Sequence, residues 1–258
     1  MKIIITGSGG QLGLCIRDQF NNTNYDVIYC CKKDLDISNF KKTEMFINNA
    51  KPDVIINCAA YTEVDEAEQN QDKVNLINNL AVKNLSEISF FRNIKLIHIS
   101  TDYVFDGNNK NPYTEEDICN PINLYGMSKL SGEKNIIKSG CQYVIIRTSW
   151  VFSEYRKNFV KTMLNIGQQK KQLKIINDQY GRPTYAGDLA ILIKKIVDND
   201  GIDNTILNYS GHKTCSWFDF AEKIFEKARF KSLKVPEKIL SARTEELTYK
   251  ARRPKFSV

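Results

Sequence analysis

Lys2-Ile3-Ile4-Ile5-Thr6-Gly7-Ser8-Gly9-Gly10-Gln11-Leu12-Gly13 opens the chain, and the rest is read outward from it. Residues 2–6 form a short, nearly continuous apolar run, as expected of a strand covered on both faces. The run ends directly in glycines, and an amphipathic stretch over 12–20 follows. Gly7, Gly10 and Gly13 stand at G-x-x-G-x-x-G spacing, a variant of the dinucleotide-binding turn. Glycine suits a tight turn whose backbone approaches a pyrophosphate, and the helix start offers free N–H groups and a positive dipole end. The strand before and the helix after distinguish this stretch from a glycine-rich turn with no ligand. A single lysine followed by so short a run is a first strand, not a signal peptide.

Beyond this stretch, strand patterns recur at 26–31, 54–58, 95–100 and 143–147, with helical patterns at 43–49, 74–91 and 125–138 between them. The alternation predicts a Rossmann-type, doubly wound α/β fold built on a parallel sheet. After Trp150 the pattern loosens into a helix at 158–168, a loop at 177–185, a helix at 187–198, a strand at 205–209 and a helix at 217–229. No internal repeat or low-complexity linker interrupts it. The expected organisation is an NAD(P)-binding Rossmann domain over 1–150 and a smaller, interleaved C-terminal lobe, mainly substrate-binding, over 151–258. The strand near 205–209 is expected to return to the main sheet.

Composition narrows the function classes. The 258 residues, 42% hydrophobic and 26% charged, suffice for one large α/β domain or a core with a smaller lobe. No apolar run approaches the roughly 18 residues of a membrane helix, so no membrane partner is expected. The net charge is +7, but lysines are scattered among acids and no arginine-rich arm appears. That is a solvated, mildly basic surface and not a nucleic-acid site. Seven cysteines without C-x-x-C spacing, and only two histidines, argue against zinc and for reduced thiols in the cytoplasm.

The second strand closes Tyr29-Cys30-Cys31-Lys32-Lys33, with Asp34 and Asp36 only afterwards. No acid stands where a ribose 2′-hydroxyl would be held, and lysines there suit a 2′-phosphate, which favours NADPH over NADH. Lys32 and Lys33 read equally well as solvent-facing charges. Further on, Tyr125-Gly-Met-Ser-Lys129 puts a phenol and an ammonium at i and i+4 on one helical face. The positive charge is expected to lower the tyrosine pKa, so that the phenol can exchange a proton with a carbonyl oxygen as hydride reaches the carbon. Upstream, a strand tipped by Ile99-Ser100-Thr101 offers hydroxyls to hold that oxygen.

These motifs, in this order, resemble the extended short-chain dehydrogenases/reductases, and among them the dTDP-4-dehydrorhamnose reductase family. The resemblance is carried by 10–13, by Asn57-Cys58-Ala59-Ala60-Tyr61-Thr62 with Val64-Asp65 and Ala67-Glu68, and by Ser100-Thr101-Asp102-Tyr103-Val104-Phe105-Asp106-Gly107. Asn123 through Lys129, Gly132-Glu133, Arg147-Thr148-Ser149-Trp150-Val151, residues 158–163 and residues 178–184 continue it over nearly the whole chain. It implies NADPH-dependent reduction, with NADH as the other donor, of the C4 ketone of a dTDP-linked 4-keto-6-deoxysugar, dTDP-4-dehydro-L-rhamnose, to dTDP-L-rhamnose.

The resemblance implies that Thr101 orients the ketone, Tyr125 donates the proton, and Lys129 binds the nicotinamide ribose. Gly7, Gly10, Gln11, Leu12 and Gly13, with Lys32, Asp36, Ile37, Ala59, Ala60 and Tyr61, would line the dinucleotide. Asp102, Tyr103 and Trp150 would lie against the deoxysugar, although Trp150 also reads as core packing after a strand. Arg182 and Arg253 would grip the substrate diphosphate, or, like Arg252, stand as surface charge. The chain stops at Arg252-Arg253-Pro254-Lys255-Phe256-Ser257-Val258. Family members continue further, so a naturally short or truncated C-terminus is expected. The family is also described with magnesium at a subunit interface, which raises a homodimer, but no carboxylate cluster in the sequence marks a metal site. Two other readings stay open: a sibling UDP- or GDP-sugar reductase or epimerase, and a regulatory protein like the methionine adenosyltransferase β subunit.

Overall fold

The computed structural model describes residues 1–199 and 201–257. Its first half runs β1 (Lys2–Thr6), α1 (Gln11–Phe20), β2 (Asp26–Cys30), α2 (Phe40–Ala50), β3 (Val54–Asn57), α3 (Val64–Ala67), α4 (Gln71–Asn75), α5 (Ala81–Arg92) and β4 (Lys95–Thr101). There follow α6 (Leu124–Ser139), β5 (Tyr143–Thr148), β6 (Val151–Phe152), α7 (Phe159–Gln169), β7 (Gln172–Ile176), β8 (Tyr180–Gly181) and β9 (Thr184–Tyr185). The chain then forms α8 (Ala186–Asp198), β10 (Thr205–Asn208), β11 (Cys215–Ser216), α9 (Trp217–Phe230) and β12 (Lys238–Ala242).

Six strands in the order β10-β5-β4-β3-β1-β2 make one sheet, every pair parallel. The pleat sorts the isoleucines. Ile3, Ile5, Ile56, Ile97 and Ile146 bury against α1 and α8 through Ile16, Phe20, Leu189 and Ile193. Their neighbours Ile4, Ile55, Leu96 and Ile145 face the other way, onto Ile47, Val82, Leu85 and Ile136 of α2, α5 and α6. Both faces are covered, which is why these strands carry no polar alternation. Chain order reverses on either side of β1, so a crevice opens beyond the C-terminal ends of β1 and β3.

Three local features differ from the sequence reading. The helix expected over 74–91 begins earlier, as α4, and passes through a single π turn, Leu76–Leu80, before α5. Asn78 in that turn clamps the Tyr61 backbone, accepting from Tyr61 N at 2.9 Å and donating to Tyr61 O at 3.0 Å. The expected loop 177–185 holds β8 and β9, each too short to show a period of two. Finally, β7 and β12 form a separate parallel ladder, and its neighbouring cluster packs Ile175, Ala221 and Phe225 with Phe159 and Met163.

Candidate active site

The C-terminal ends of β1, β3, β4 and β5 surround a cleft of about 840 Å³. Its first wall is the glycine turn. Gly7 has φ +66°, and a Cβ there would stand 2.6 Å from Ala59 N, so no larger residue fits. A Cβ on Gly13 would stand 2.7 Å from Gly7 O, which is how α1 comes to start against the turn. The N-cap of α1, Gly10, has no side chain to cap the first-turn N–H groups, and no acid lies in that turn. Donors left open at a helix start, in a turn without Cβ atoms, fit the diphosphate of a dinucleotide. Arg156 braces the turn by donating from Nε to Gly9 O at 2.7 Å.

At the outer end, Lys32 lines the cleft and pairs with Asp36 at 3.8 Å; Lys33 is not in the lining. The Ser38 hydroxyl and amide donate to Asp36 Oδ1 and hold that carboxyl below the usual range, helped by Lys32. Ile37, Ala59, Ala60 and Tyr61 complete this wall.

The reacting groups gather at the other end. Asn123 caps α6 by accepting from Gly126 N at 2.8 Å, and the helix then presents Tyr125 and Lys129 to the cleft one turn apart. Thr101 sits at the tip of β4, its hydroxyl donating to Asp102 Oδ1 at 3.0 Å and accepting from Tyr103 N at 3.2 Å. Its neighbour Ser100 is spent elsewhere, donating to Glu133 inside the buried Glu133–Arg147 pair at 2.7 Å. Of the two hydroxyls legible in the sequence, Ser100 is thus held by Glu133, and Thr101 by its neighbours Asp102 and Tyr103. Burial pushes the Asp102 carboxyl up to about 6 against hydrogen bonds from Ser257 and Thr101.

The expected lowering of the Tyr125 pKa by Lys129 is not what the structure has. Burial raises the phenol to about 12, against the hydrogen bond with Thr101 and reinforced by the charge of Asp102. The Lys129 amine is engaged instead by Ile99 O at 2.6 Å and His98 Nε2 at 3.2 Å. Burial also brings Lys129 down to about 8, although Glu133 and Cys58 act to raise it.

Trp150 has φ +46°, a left-handed backbone unusual for an aromatic residue, and lies flat on Trp217 with centroids 3.4 Å apart and planes 6° off parallel. Both rings line the cleft beside Tyr103. Trp217 follows the Ser216/Asp219 capping box that starts α9, and nothing in the sequence pairs it with a residue so far upstream. Lys73 also lines the cleft, with Nζ 5.6 Å from the Tyr61 ring centre, and the sequence reading missed it too.

Two expected substrate residues lie elsewhere. Arg253 is bound to Asp65 at 2.6 Å and stacks over Tyr249, and Arg182 donates to Thr214 Oγ1 at 3.2 Å. Neither belongs to the lining of the cleft. Among the described residues no group of three or more His, Cys, Asp or Glu side chains gathers where a metal ion could be held, so none is assigned to magnesium.

An open glycine turn at the switch point of a parallel sheet, facing a hydroxyl-tipped strand and a Tyr/Lys helix, defines an NAD(P)-dependent oxidoreductase of the extended short-chain dehydrogenase/reductase class. A family model described as the RmlD substrate binding domain matches residues 1–258, and the chain belongs to that family. It is 40% identical over 232 residues to a dTDP-4-dehydrorhamnose reductase of Aggregatibacter actinomycetemcomitans, covering 88% of this chain and 79% of that protein. It is 38% identical over 257 residues to the spore coat polysaccharide biosynthesis protein SpsK of Bacillus subtilis, covering 100% and 88%. The crystal structure of the dTDP-4-dehydrorhamnose reductase of Bacillus anthracis in complex with NADP superimposes with a TM-score of 0.94 at 39% identity, covering 99% of this chain and 89% of that one.

Proposed function

We propose that this chain uses NADPH to reduce the C4 ketone of dTDP-4-dehydro-L-rhamnose, giving dTDP-L-rhamnose for cell-surface polysaccharide. The observation that carries the reading is the convergence of Thr101, Tyr125 and Lys129 at the inner end of the cleft that begins at the glycine turn. The chemistry that a nicotinamide dinucleotide would supply, once held here, is hydride for the carbonyl carbon. Gln11, Leu12 and Gly13 would hold its diphosphate with backbone N–H groups beside the Cβ-free Gly10, and Lys32 would take the 2′-phosphate. Thr101 donates a hydrogen bond that orients the ketone oxygen, and Tyr125 passes its phenolic proton to that oxygen as the alcohol forms. Lys129 holds ribose hydroxyls from the same helical face. Trp150 and Trp217 present an apolar wall to the deoxysugar, with Asp102 and Tyr103 beside it.

The support is the site's geometry together with relatives at 40% and 39% identity named as this reductase. The residues between β6 and α8, with α9 and the β7–β12 ladder, are proposed to form the substrate lobe, and the protein is proposed to act in the cytoplasm and to pair with a second copy of itself. No described helix is long and apolar enough to cross a membrane. The test is NADPH oxidation with dTDP-, UDP- and GDP-linked 4-keto-6-deoxysugars offered in parallel. Turnover is expected with the dTDP sugar. Preference for a UDP or GDP sugar would move the chain to a sibling activity, and no turnover with any would favour a regulatory role.

A further inference from the structure

His98 lies fully buried in the middle of β4, between Ile97 and Ile99, and the sequence reading gave it no role. A buried imidazole needs a partner for each nitrogen. The partner of Nδ1 is Asn57 Nδ2 at 3.0 Å, and the partner of Nε2 is Lys129 Nζ at 3.2 Å. The direction of each bond can be worked out from the far end. The Ala59 amide, which can only donate, lies 3.2 Å from Asn57 Oδ1, and the Thr6 hydroxyl donates to the same oxygen at 2.6 Å. Asn57 therefore cannot be turned around, because its amide hydrogens would then face the Ala59 N–H.

With Asn57 fixed, its Nδ2 donates to His98 and Nδ1 must accept. An Nδ1 that accepts carries no hydrogen, so the ring is not an imidazolium, and its one proton sits on Nε2. That hydrogen faces Lys129 Nζ. An ammonium offers it no lone pair, whereas an amine does, and the amine can still donate to Ile99 O at 2.6 Å. We infer that His98 is a positioning residue for Lys129: its Nε2–H donates to the amine form and opposes the ammonium form, so that the lysine gives up its proton more readily than a free one.

The surroundings agree. The titratable groups facing Lys129 are Cys58 from the end of β3, His98 from β4 and Glu133 from its own helix. The Cys58 thiol is pushed up to about 12 and stays neutral, and Glu133 is already held by Arg147 and Ser100. Burial, then the lysine itself, keeps His98 well below the usual imidazole value. Burial acts on Lys129 in the matching direction, to about 8. The charge of Lys129 is thus adjustable, set by a Thr6-Asn57-His98 relay that the Ala59 backbone locks.

This deepens the reductase reading and rests on it for its catalytic meaning, but its test uses the free chain and no turnover. The chain has two histidines, so in His212→Gln, with isotope-labelled histidine, long-range proton–nitrogen spectra report His98 alone. The expected result is an Nε2–H tautomer throughout about pH 6 to 10, never an imidazolium. Its Nε2 resonance should inflect near pH 8 as Lys129 takes up its proton, and Lys129→Met should abolish that inflection. In a His98→Gln chain, whose amide oxygen accepts from Nζ, lysine side-chain carbon shifts should show the Lys129 midpoint moving upward. An Nδ1–H tautomer, an imidazolium, a missing inflection or an unmoved Lys129 midpoint would each overturn the inference, whatever the enzyme turns over.

Discussion

The burial that raises Tyr125 to about 12 keeps its phenol protonated throughout the neutral range, the state a proton donor needs. Tyr125→Phe removes that proton and keeps the ring against Tyr103, 5.8 Å away. It should lower kcat by roughly 10²–10⁴-fold with NADPH affinity nearly unchanged, measured by steady-state kinetics and fluorescence titration. Near-full activity would place the donor elsewhere. Lys129 makes the opposite contribution to folding. Its folded pKa, about 8, is lower than its ordinary 10.5, so the unfolded chain binds the proton more tightly. The resulting penalty is complete below pH 8 and lifts as pH rises from 8 to 10.5, so the contribution of Lys129 itself should climb across that window. Its ceiling is on the order of 3 kcal/mol. Denaturant melts should show the native chain gaining on Lys129→Met across that window, while the buried thiols, Cys58 foremost, lower the stability of both from about pH 9 upward; a difference that stays constant would assign the effect to another group. At this scale the sequence exposed Thr101, Tyr125 and Lys129, because their spacing carries the chemistry. His98, Asn57 and Trp217 matter through neighbours brought in from other strands and helices, and single-chain spacing does not record those.

Among the elements, the central strands were legible because burial on both faces writes them as Ile/Val runs. The π turn, β8 and β9 were not, since each is a local break of a period or too short to have one. The β7–β12 ladder joins strands far apart in sequence, and Gln172–Ile176 alternates too weakly to announce a partner. The last segment shows how such pairing reassigns a residue. Asp65, in the first turn of α3, accepts from Lys250 N at 3.0 Å, Ala251 N at 3.1 Å and both terminal nitrogens of Arg253. Asn123, the α6 cap, donates to Arg252 O at 2.8 Å, so this strap is tied to the helix that carries Tyr125. Arg253→Ala should therefore loosen the strap and cost about 1–3 kcal/mol in a denaturant melt, with easier proteolysis near residue 250. The substrate KM should stay within about twofold. A raised KM at unchanged stability would return Arg253 to the substrate.

In the whole molecule, one parallel sheet places the glycine turn and the Tyr/Lys helix on a single cleft, and ligand binding there should stabilise the entire fold. A dinucleotide held at a hundredfold excess over its Kd adds about 2.7 kcal/mol to folding. Lys32 lines the cleft and is proposed to help choose the dinucleotide. Its pairing with Asp36 is long, 3.8 Å, and the lysine is 72% exposed, so the pair contributes little and leaves the ammonium available. Asp36, which also lines the cleft, accepts from the Ser38 amide and hydroxyl. NADPH should accordingly raise the melting temperature more than NADH at equal concentration, and fluorescence titration should rank their affinities the same way. Lys32→Ala should narrow the gap by weakening NADPH alone, since NADH brings no 2′-phosphate for the lysine to meet. Losing one charge-assisted contact is worth about 1.5–3 kcal/mol in full and less at so exposed a site. Added salt should erode the NADPH advantage in the native chain and leave Lys32→Ala nearly insensitive. Equal affinities in the native chain, or equal losses for both dinucleotides in Lys32→Ala, would leave Lys32 as a solvent-facing charge and move cofactor choice to another wall of the cleft.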